Sequence, residues 1–494
     1  MDRKPNILFF VADQMRADSL GHIGNRSAKT PNLDKILEEG VSFENAYCQN
    51  PVCVPSRCSF LSGLYPHTTG HRTMHYLQRE DEPNILRTMK NNGYEVIWIG
   101  RNDVIPGNRP KTEYCDKYYN GLDFENHRDD VNSSLNFGKR VNNFKVPGFM
   151  ENNRYYSFYL GEMDQAEAAN TFDWNCVKTT LDYLDKKSTE PAGKPFFLYV
   201  TISFPHPPYA CEEPWFSSID RDSLPVRRTD VEKLKDKPSM LHGIRSKQNL
   251  QNWSEDQYNE LRSTYLAMVS RFDYQYGLIA DQLKKLNMYD STNIFVYSDH
   301  GDYTGDYGIV EKVQNCFENP VSNVPLMIKP AAGINVKPGK SKVLTELLDI
   351  PATVAQMAGI ELDYVQFGKS LVPALEGAKF HKDAVFCEGG RIHGEVWAME
   401  GGHKPDSLYW PRLSTQSQEG PEHTKAVMVR MDHYKYVKRL YEKDEFYNLD
   451  ADPHELYNEI DNEDYKEIIF KIKMRLLDFY METADTIPNK KDLR

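Results

Sequence analysis

The chain has 494 residues, 40% of them hydrophobic, 27% charged and 12% aromatic, which is ordinary for a globular enzyme. Its 60 Lys and Arg against 72 Asp and Glu leave a formal net charge of −12, which argues against a nucleic-acid backbone as partner. The length excludes one small core and fits two to four domains, or a large α/β enzyme that uses most of the chain.

The N-terminal apolar run, residues 6–12, is too short for a signal-peptide core and meets Asp13 at once. No stretch approaches the length of a membrane span. A cytoplasmic location without a membrane partner is the expectation. Eight cysteines are dispersed with no CxxC pair, so neither a zinc ribbon nor a disulfide scaffold is indicated.

Four near-continuous apolar runs read as central strands of a parallel sheet: 6–12, 94–100, 195–203 and 293–298. Helical patterns lie between them at 30–39, 171–186 and 255–285, which is the α/β alternation. The pattern continues with an apolar run at 324–330 and an expected helix over 343–358. After about residue 376 the texture changes to antiparallel strands near 426–437 and 444–450, then an amphipathic helix over 466–483. This predicts a catalytic domain over 1–375 and a smaller α+β subdomain over 376–494. Residues 389–422 read as a long loop reaching back toward the cleft.

Every central run ends in reactive residues: Asp13 and Gln14; Arg101 and Asp103; His206; Asp299 and His300. Open α/β sheets bind ligands at the carboxyl ends of their strands, so these residues are expected along one rim. Two carboxylates with a neutral oxygen and a nitrogen donor suit a hard divalent cation; the plainer alternative is that each Asp caps a following helix. Arg57, Arg101 and Lys312 are candidates to neutralise an anionic substrate, or simply solvated charges. His206, in Phe204-Pro-His-Pro-Pro208, is placed to protonate a leaving oxygen, or is a structural histidine. Cys53 could act as a thiol activated by Arg57. That needs a base the sequence does not single out, and a thiol suits a hard cation poorly.

Cys53-Val-Pro-Ser-Arg57, followed by Leu61-Ser-Gly63, resembles the signature of the type I (formylglycine-dependent) sulfatases, with Ser62 in place of the usual Thr. Residues 6–13, Ser298-Asp-His-Gly301 with Gly305-Asp-Tyr-Gly308, the downstream Lys312, and residues 428–458 are also similar to that family. The resemblance spans nearly the whole chain. It implies an alkaline-phosphatase-like fold: a central, mostly parallel sheet flanked by helices, with a small C-terminal antiparallel sheet. It implies a hydrolase of organic sulfate esters, of carbohydrate or aryl type. Cys53 would be oxidised to formylglycine by a separate maturase that reads Pro55 and Arg57. Asp13, Gln14, Asp299, His300 and the converted Cys53 would hold Ca2+, with Mg2+ or Mn2+ as alternatives. Arg57 would position the aldehyde hydrate, Lys312 would bind sulfate, and His206 would act as leaving-group acid. By the same resemblance Cys58 is a packed bystander. Arg101 and Asp103 stand where many members have Lys and His, as substrate-binding positions.

Asp-Gln and Asp-His replace the commoner Asp-Asp and Asp-Asn, as in choline sulfatases and phosphonate monoester hydrolases of the superfamily. Hydrolysis of phosphonate monoesters or phosphodiesters at the same site is therefore the alternative activity. The residues that select the alcohol are expected in 107–156, 207–252 and 389–422.

Overall fold

The computed structural model describes residues 4–120, 157–169, 171–190, 193–401, 403–405 and 407–487. Part of the expected substrate rim, 121–156, lies outside the described residues. The strands, in chain order, are β1 (Asn6–Asp13), β2 (Val41–Tyr47), β3 (Glu95–Gly100), β4 (Lys117–Tyr119), β5 (Tyr159–Met163), β6 (Phe196–Pro205) and β7 (Tyr209–Glu212). They continue with β8 (Thr292–Ser298), β9 (Leu326–Lys329), β10 (Gly339–Glu346), β11 (Ala384–Gly389), β12 (Ala426–Met431), β13 (Tyr434–Arg439) and β14 (Glu445–Asn448).

Eight strands form one sheet in the order β10-β2-β9-β8-β1-β6-β3-β4. Neighbours pair in parallel except at β9, which runs against both β2 and β8. The four strands read from sequence are its centre, β8-β1-β6-β3. Their apolar continuity follows from burial on both faces. In β1, Ile7, Phe9 and Val11 enter one core while Leu8, Phe10 and Ala12 enter the other, as the two-residue period of a strand requires. Phe9 packs on Phe197 of β6 and Tyr297 of β8, with ring centroids 4.8 and 5.5 Å away.

The helix Cys53–Ser62 covers the Phe9 face, where Phe60 meets Tyr297 edge-on at 5.2 Å. The helix Glu255–Lys285 covers the opposite face, with Phe272 at 4.7 Å from Phe10. Ser254 and Gln257 close its N-terminus with a capping box, satisfying donors that the first turn leaves open.

Strands β11 to β14 form the separate antiparallel sheet, and β5 and β7 a two-stranded one. The helix Lys466–Thr483 lies where the pattern predicts and packs Ile469, Ile472, Leu476 and Phe479 against Phe386, Val427 and Val429 of the small sheet.

Two expectations need correction. Residues 343–346 are strand, not helix: Leu344, Thr345 and Glu346 pair with Asn45, Ala46 and Tyr47 of β2, and the helix is only Ile350–Ala358, with Pro351 in its first turn. A β-branched, apolar stretch before a proline fits an extended segment followed by a helix start. The 389–422 segment is not loop throughout. It carries the helix Trp410–Gln416, with Pro411 in its first turn. Gly243 of the neighbouring helix Ser239–Gln248 permits its close approach, since a Cβ there would stand 2.6 Å from Thr415 Cγ2.

The eight cysteines are free and buried. No described helix is long and apolar enough to cross a membrane.

Candidate active site

Parallel pairing sets the geometry of the rim. β1 ends at Asp13, β8 is followed by Asp299 and His300, β3 by Arg101, and β6 by His206. Because β8, β1, β6 and β3 are adjacent and run the same way, their termini converge. The N-terminus of the helix Cys53–Ser62 meets them from the side.

Ligand atoms of Asp13, Cys53, Asp299 and His300 all lie within 4.8 Å of one another, and all four residues are buried. Cys53 Sγ stands 3.2 Å from His300 Nε2 and 3.5 Å from Asp13 Oδ1. His300 Nδ1 is 2.9 Å from the Gly301 carbonyl, so the proton sits on Nδ1 and the Nε2 lone pair faces the cluster. A backbone carbonyl fixing the tautomer in this way is the usual support of a metal-ligating histidine. Burial is the larger influence on the His300 pKa and lowers it, keeping that lone pair free.

Arg57 ties the two carboxylates together. Its Nη2 donates to Asp13 Oδ2 at 3.0 Å and its Nε to Asp299 Oδ2 at 2.8 Å. Arg101 Nη1 adds a second guanidinium donor to Asp13 Oδ2, also at 3.0 Å. Burial works against an ionised Asp13, but the permanent cations Arg101, Arg57 and Lys312 outweigh it and hold the group below the ordinary carboxylate range. Asp299 is further anchored by N–H donation from Gln14 and His300, at 3.1 and 2.9 Å. Asp103 is less committed, 22% exposed, with Oδ2 at 3.9 Å from Arg57 and 3.8 Å from Arg101.

Gln14 is in the left-handed region, φ +72°, which costs a non-glycine residue roughly 1 kcal/mol or more. That turn aims its amide: Oε1 accepts from Lys312 Nζ at 2.8 Å and Nε2 donates to Asp302 Oδ2 at 2.6 Å. Its amide oxygen thus meets Lys312 directly. Thr304, Tyr307, Glu311 and Asn315 also have positive φ, so strain is concentrated in the loop that delivers Lys312.

Lys312 Nζ also donates to His206 Nε2 at 2.9 Å, while His206 Nδ1 contacts the Pro207 carbonyl at 2.5 Å. Burial, with Lys312 next, holds His206 well below its ordinary pKa, so it is neutral with its proton on Nδ1. Cys53 is shifted the opposite way: burial, then Asp13, push the thiol up. An unmodified Cys53 therefore stays protonated and is a weak nucleophile, which counts against the thiol reading.

The sequence assigns no role to several supporting residues, although Ser56 lies inside the Cys53–Arg57 signature. Asp302 accepts from Tyr209 Oη, from the Thr304 N–H and from Gln14, and burial raises its pKa to about 6. Ser56 Oγ donates to the Asp299 carbonyl at 2.6 Å. Tyr209 Oη also accepts from the Glu311 N–H at 3.0 Å. Only the nearness of Asp302 to the strand-end motif pointed its way. Cys58 is buried in the core under the sheet.

A sequence profile described as Sulfatase matches residues 5–360, nearly three-quarters of the chain. The chain belongs to the sulfatase family. This sulfatase is 25% identical to a multifunctional alkaline phosphatase superfamily protein, PehA, of Trinickia caryophylli, over 98% of its own chain and 96% of the relative. It is 25% identical to a choline-sulfatase of Rhizobium meliloti, over 93% and 83%. Among solved structures it is similar to the phosphonate monoester hydrolase of Agrobacterium radiobacter, with a TM-score of 0.76 and 22% identity over 97% of this chain and 96% of that one. That likeness shows the shared fold: mixed α/β, one large mostly parallel sheet and a separate small antiparallel sheet.

Proposed function

We propose that this sulfatase-family hydrolase cleaves an organic sulfate monoester through a formylglycine formed from Cys53, with a divalent ion held by Asp13, Asp299, His300, the converted residue 53 and Gln14. The observation that carries this is the convergence of four buried ligand atoms within 4.8 Å, with Arg57 and Arg101 both ion-paired to Asp13. Carboxylates and an imidazole suit a hard or borderline ion, and only the sulfur of Cys53 is out of character. Its replacement by an oxygen donor removes that mismatch. Ca2+ is the ion we favour, with Mg2+ or Mn2+ as alternatives. When bound, it supplies Lewis-acid charge for the anionic oxygens of the ester.

Once formed, the aldehyde hydrate would supply one hydroxyl to attack sulfur as the alcohol leaves and a second whose release of sulfate would restore the aldehyde. The chain's own residues prepare that chemistry. Arg57, bridging Asp13 and Asp299, holds residue 53 in line, and its Nη1, buried without a partner among the described residues, is free to donate to the diol. Arg101, a third exposed on its side chain, and Lys312 neutralise the sulfate oxygens. Asp103 stands beside Arg101 at the mouth of the cleft. Lys312 is the source of the leaving-group proton: its Nζ donates to the Nε2 lone pair of the neutral His206, which takes that proton and passes it to the departing oxygen.

Phosphonate monoester or phosphodiester hydrolysis is the second reading. It is supported by Gln14 and His300 at the variant positions and by the likeness to a phosphonate monoester hydrolase. Mass spectrometry of the tryptic peptide covering residues 36–57, from protein made with a competent maturase, tests the mechanism. Formylglycine at residue 53 is the expected result, and unmodified cysteine in fully active protein would overturn it. Comparing turnover of a nitrophenyl sulfate with that of a phenyl phosphonate ester decides between the two substrates.

A further inference from the structure

The helix Trp410–Gln416 brings one more cation to this cleft. Tyr409 and Arg412 are three residues apart, hence on one face. Tyr409 lies within electrostatic reach of Lys312, Glu311, Arg412 and Arg101, and Arg412 within reach of Glu311, Glu400 and the Cys53 thiol. The Arg412 guanidinium stands 5.6 Å from the Tyr409 ring centroid.

Arg412 is only 7% exposed, yet its Nε and Nη1 have no hydrogen-bond partner among the described residues. The carboxylate within ion-pair range, Glu311 Oε2, is 3.9 Å from Nε, beyond hydrogen-bond distance. Glu311 is also shared, with Oε1 3.2 Å from Lys312 Nζ. Glu400 is engaged elsewhere: its Oε1 accepts from the Met74 N–H and from Gln314 Nε2. Leaving buried donors of a charged group unpaired is costly, because the desolvation of the group is not repaid. A planar guanidinium in that state matches the two oxygens of a carboxylate or a sulfate.

We infer that Arg412 is a specificity residue that binds a second negative charge, carboxylate or sulfate, on the alcohol part of the substrate. The inference rests on the sulfatase reading, since it assigns the leaving-group side of the same cleft. It sets the preferred substrate class as an anionic sulfate ester rather than a neutral one.

The test compares phenyl sulfate, 3-carboxyphenyl sulfate and the bis-sulfate of 1,3-dihydroxybenzene on the full-length enzyme. The wild type is expected to prefer at least one charged ester by tenfold or more in kcat/KM, chiefly through KM, and the better of the two identifies the anion. Arg412→Gln should erase that preference while leaving phenyl sulfate within threefold, and Arg412→Lys should restore part of it. An equal loss on all three esters, or no loss on any, overturns the inference. Should Arg412→Gln not fold, Arg412→Lys carries the test, with a threefold or greater loss expected on the charged ester alone. Calorimetric binding of the same esters to Cys53→Ala, with and without Arg412→Gln, needs no turnover. A protein that binds the charged ester better through Arg412 but hydrolyses none of the three refutes the sulfatase reading and keeps this one.

Discussion

Two clusters of buried charge can be set side by side. One lies between the sheets: Lys237, Glu318, Lys435, Arg439, Glu445 and Glu455. The other lies at the strand ends: Asp13, Arg57, Arg101, Asp299, Lys312 and Arg412. In the first, the cations are fully served. Lys237 Nζ meets Glu318 at 2.7 Å, the Tyr447 hydroxyl at 2.9 Å and the Glu455 carbonyl at 3.1 Å. Lys435 donates to Glu455, to Asn319 Oδ1 and to the Phe317 carbonyl. An ammonium has three donors, and each lysine has three oxygen neighbours, two hydrogen-bonded and one ion-paired at Lys237 and three hydrogen-bonded at Lys435. In the second cluster Arg57 and Arg412 keep donors without partners among the described residues, and Lys312 shares itself between two neutral acceptors and one carboxylate. The backbone around Lys312 is strained, with four non-glycine residues at positive φ between 304 and 315. A complete network stabilises; one left incomplete at some cost has a ligand to finish it.

Substitutions can break this contrast. Asp299→Asn should lower kcat/KM per folded molecule on the order of a thousandfold, about 4 kcal/mol of barrier, in steady-state kinetics, a loss that no shift of its urea midpoint explains. Lys237→Met should do the reverse. Breaking a buried pair by removing one partner costs about 3–5 kcal/mol, read as a lower urea midpoint, with activity per folded molecule unchanged. The double variant Lys237→Met with Glu318→Leu should recover most of that loss, since an apolar pair replaces the ion pair.

The structural cluster also has an acid signature. Burial opposes an ionised Glu318, but Lys237 outweighs it and brings the pKa down to about 2. A carboxyl depressed in the folded state adds stability that is present above 4.5 and is lost as pH falls toward 2. Urea midpoints taken between pH 7 and pH 3 should show that loss in the wild type and not in the double variant. A second acid-sensitive group, His423, lies outside both clusters. Burial, then Arg391, Arg72 and Arg412, lower it to about 3, and neither ring nitrogen has a partner among the described residues. A depressed histidine is neutral in the fold, so its contribution is present above 6.5 and lost as pH falls toward 3, at about 1.4 kcal/mol per pH unit. His423→Leu should flatten the stability profile between pH 6.5 and 4. The smallest effect is expected for Tyr209→Phe, which unties Asp302 and thereby Gln14. A loss of about tenfold in kcat/KM matches the removal of one supporting hydrogen-bond partner.

Much of the fold was readable because β1, β3, β6 and β8 are buried on both faces and so are apolar at every position. β2 was not, since Ser42, Glu44 and Asn45 interrupt its apolar residues. β10 was misread because Val343 and Leu344 sit at helix-like spacing ahead of a genuine helix. The strand-end residues were legible because topology gathers whatever follows a central strand. Gln14 was legible as a residue but not in its bonding, which depends on a φ that sequence does not display. Arg412 was invisible: one arginine in a polar segment looks solvated, and only the helix that begins at Trp410 turns it inward.

All ten residues of the helix Cys53–Ser62 are buried, Cys53 at 1% exposure and Arg57 at none. Under the proposed mechanism, a maturase that read Pro55 and Arg57 would find nothing to hold once the chain had folded. Conversion of Cys53 would therefore be a matter of timing. It would compete with the closing of the sheet around that segment, and a chain that folded too fast would seal an unconverted cysteine inside. Slower folding, by lower temperature or slower synthesis, should raise the converted fraction even though it adds nothing to the stability of the finished protein.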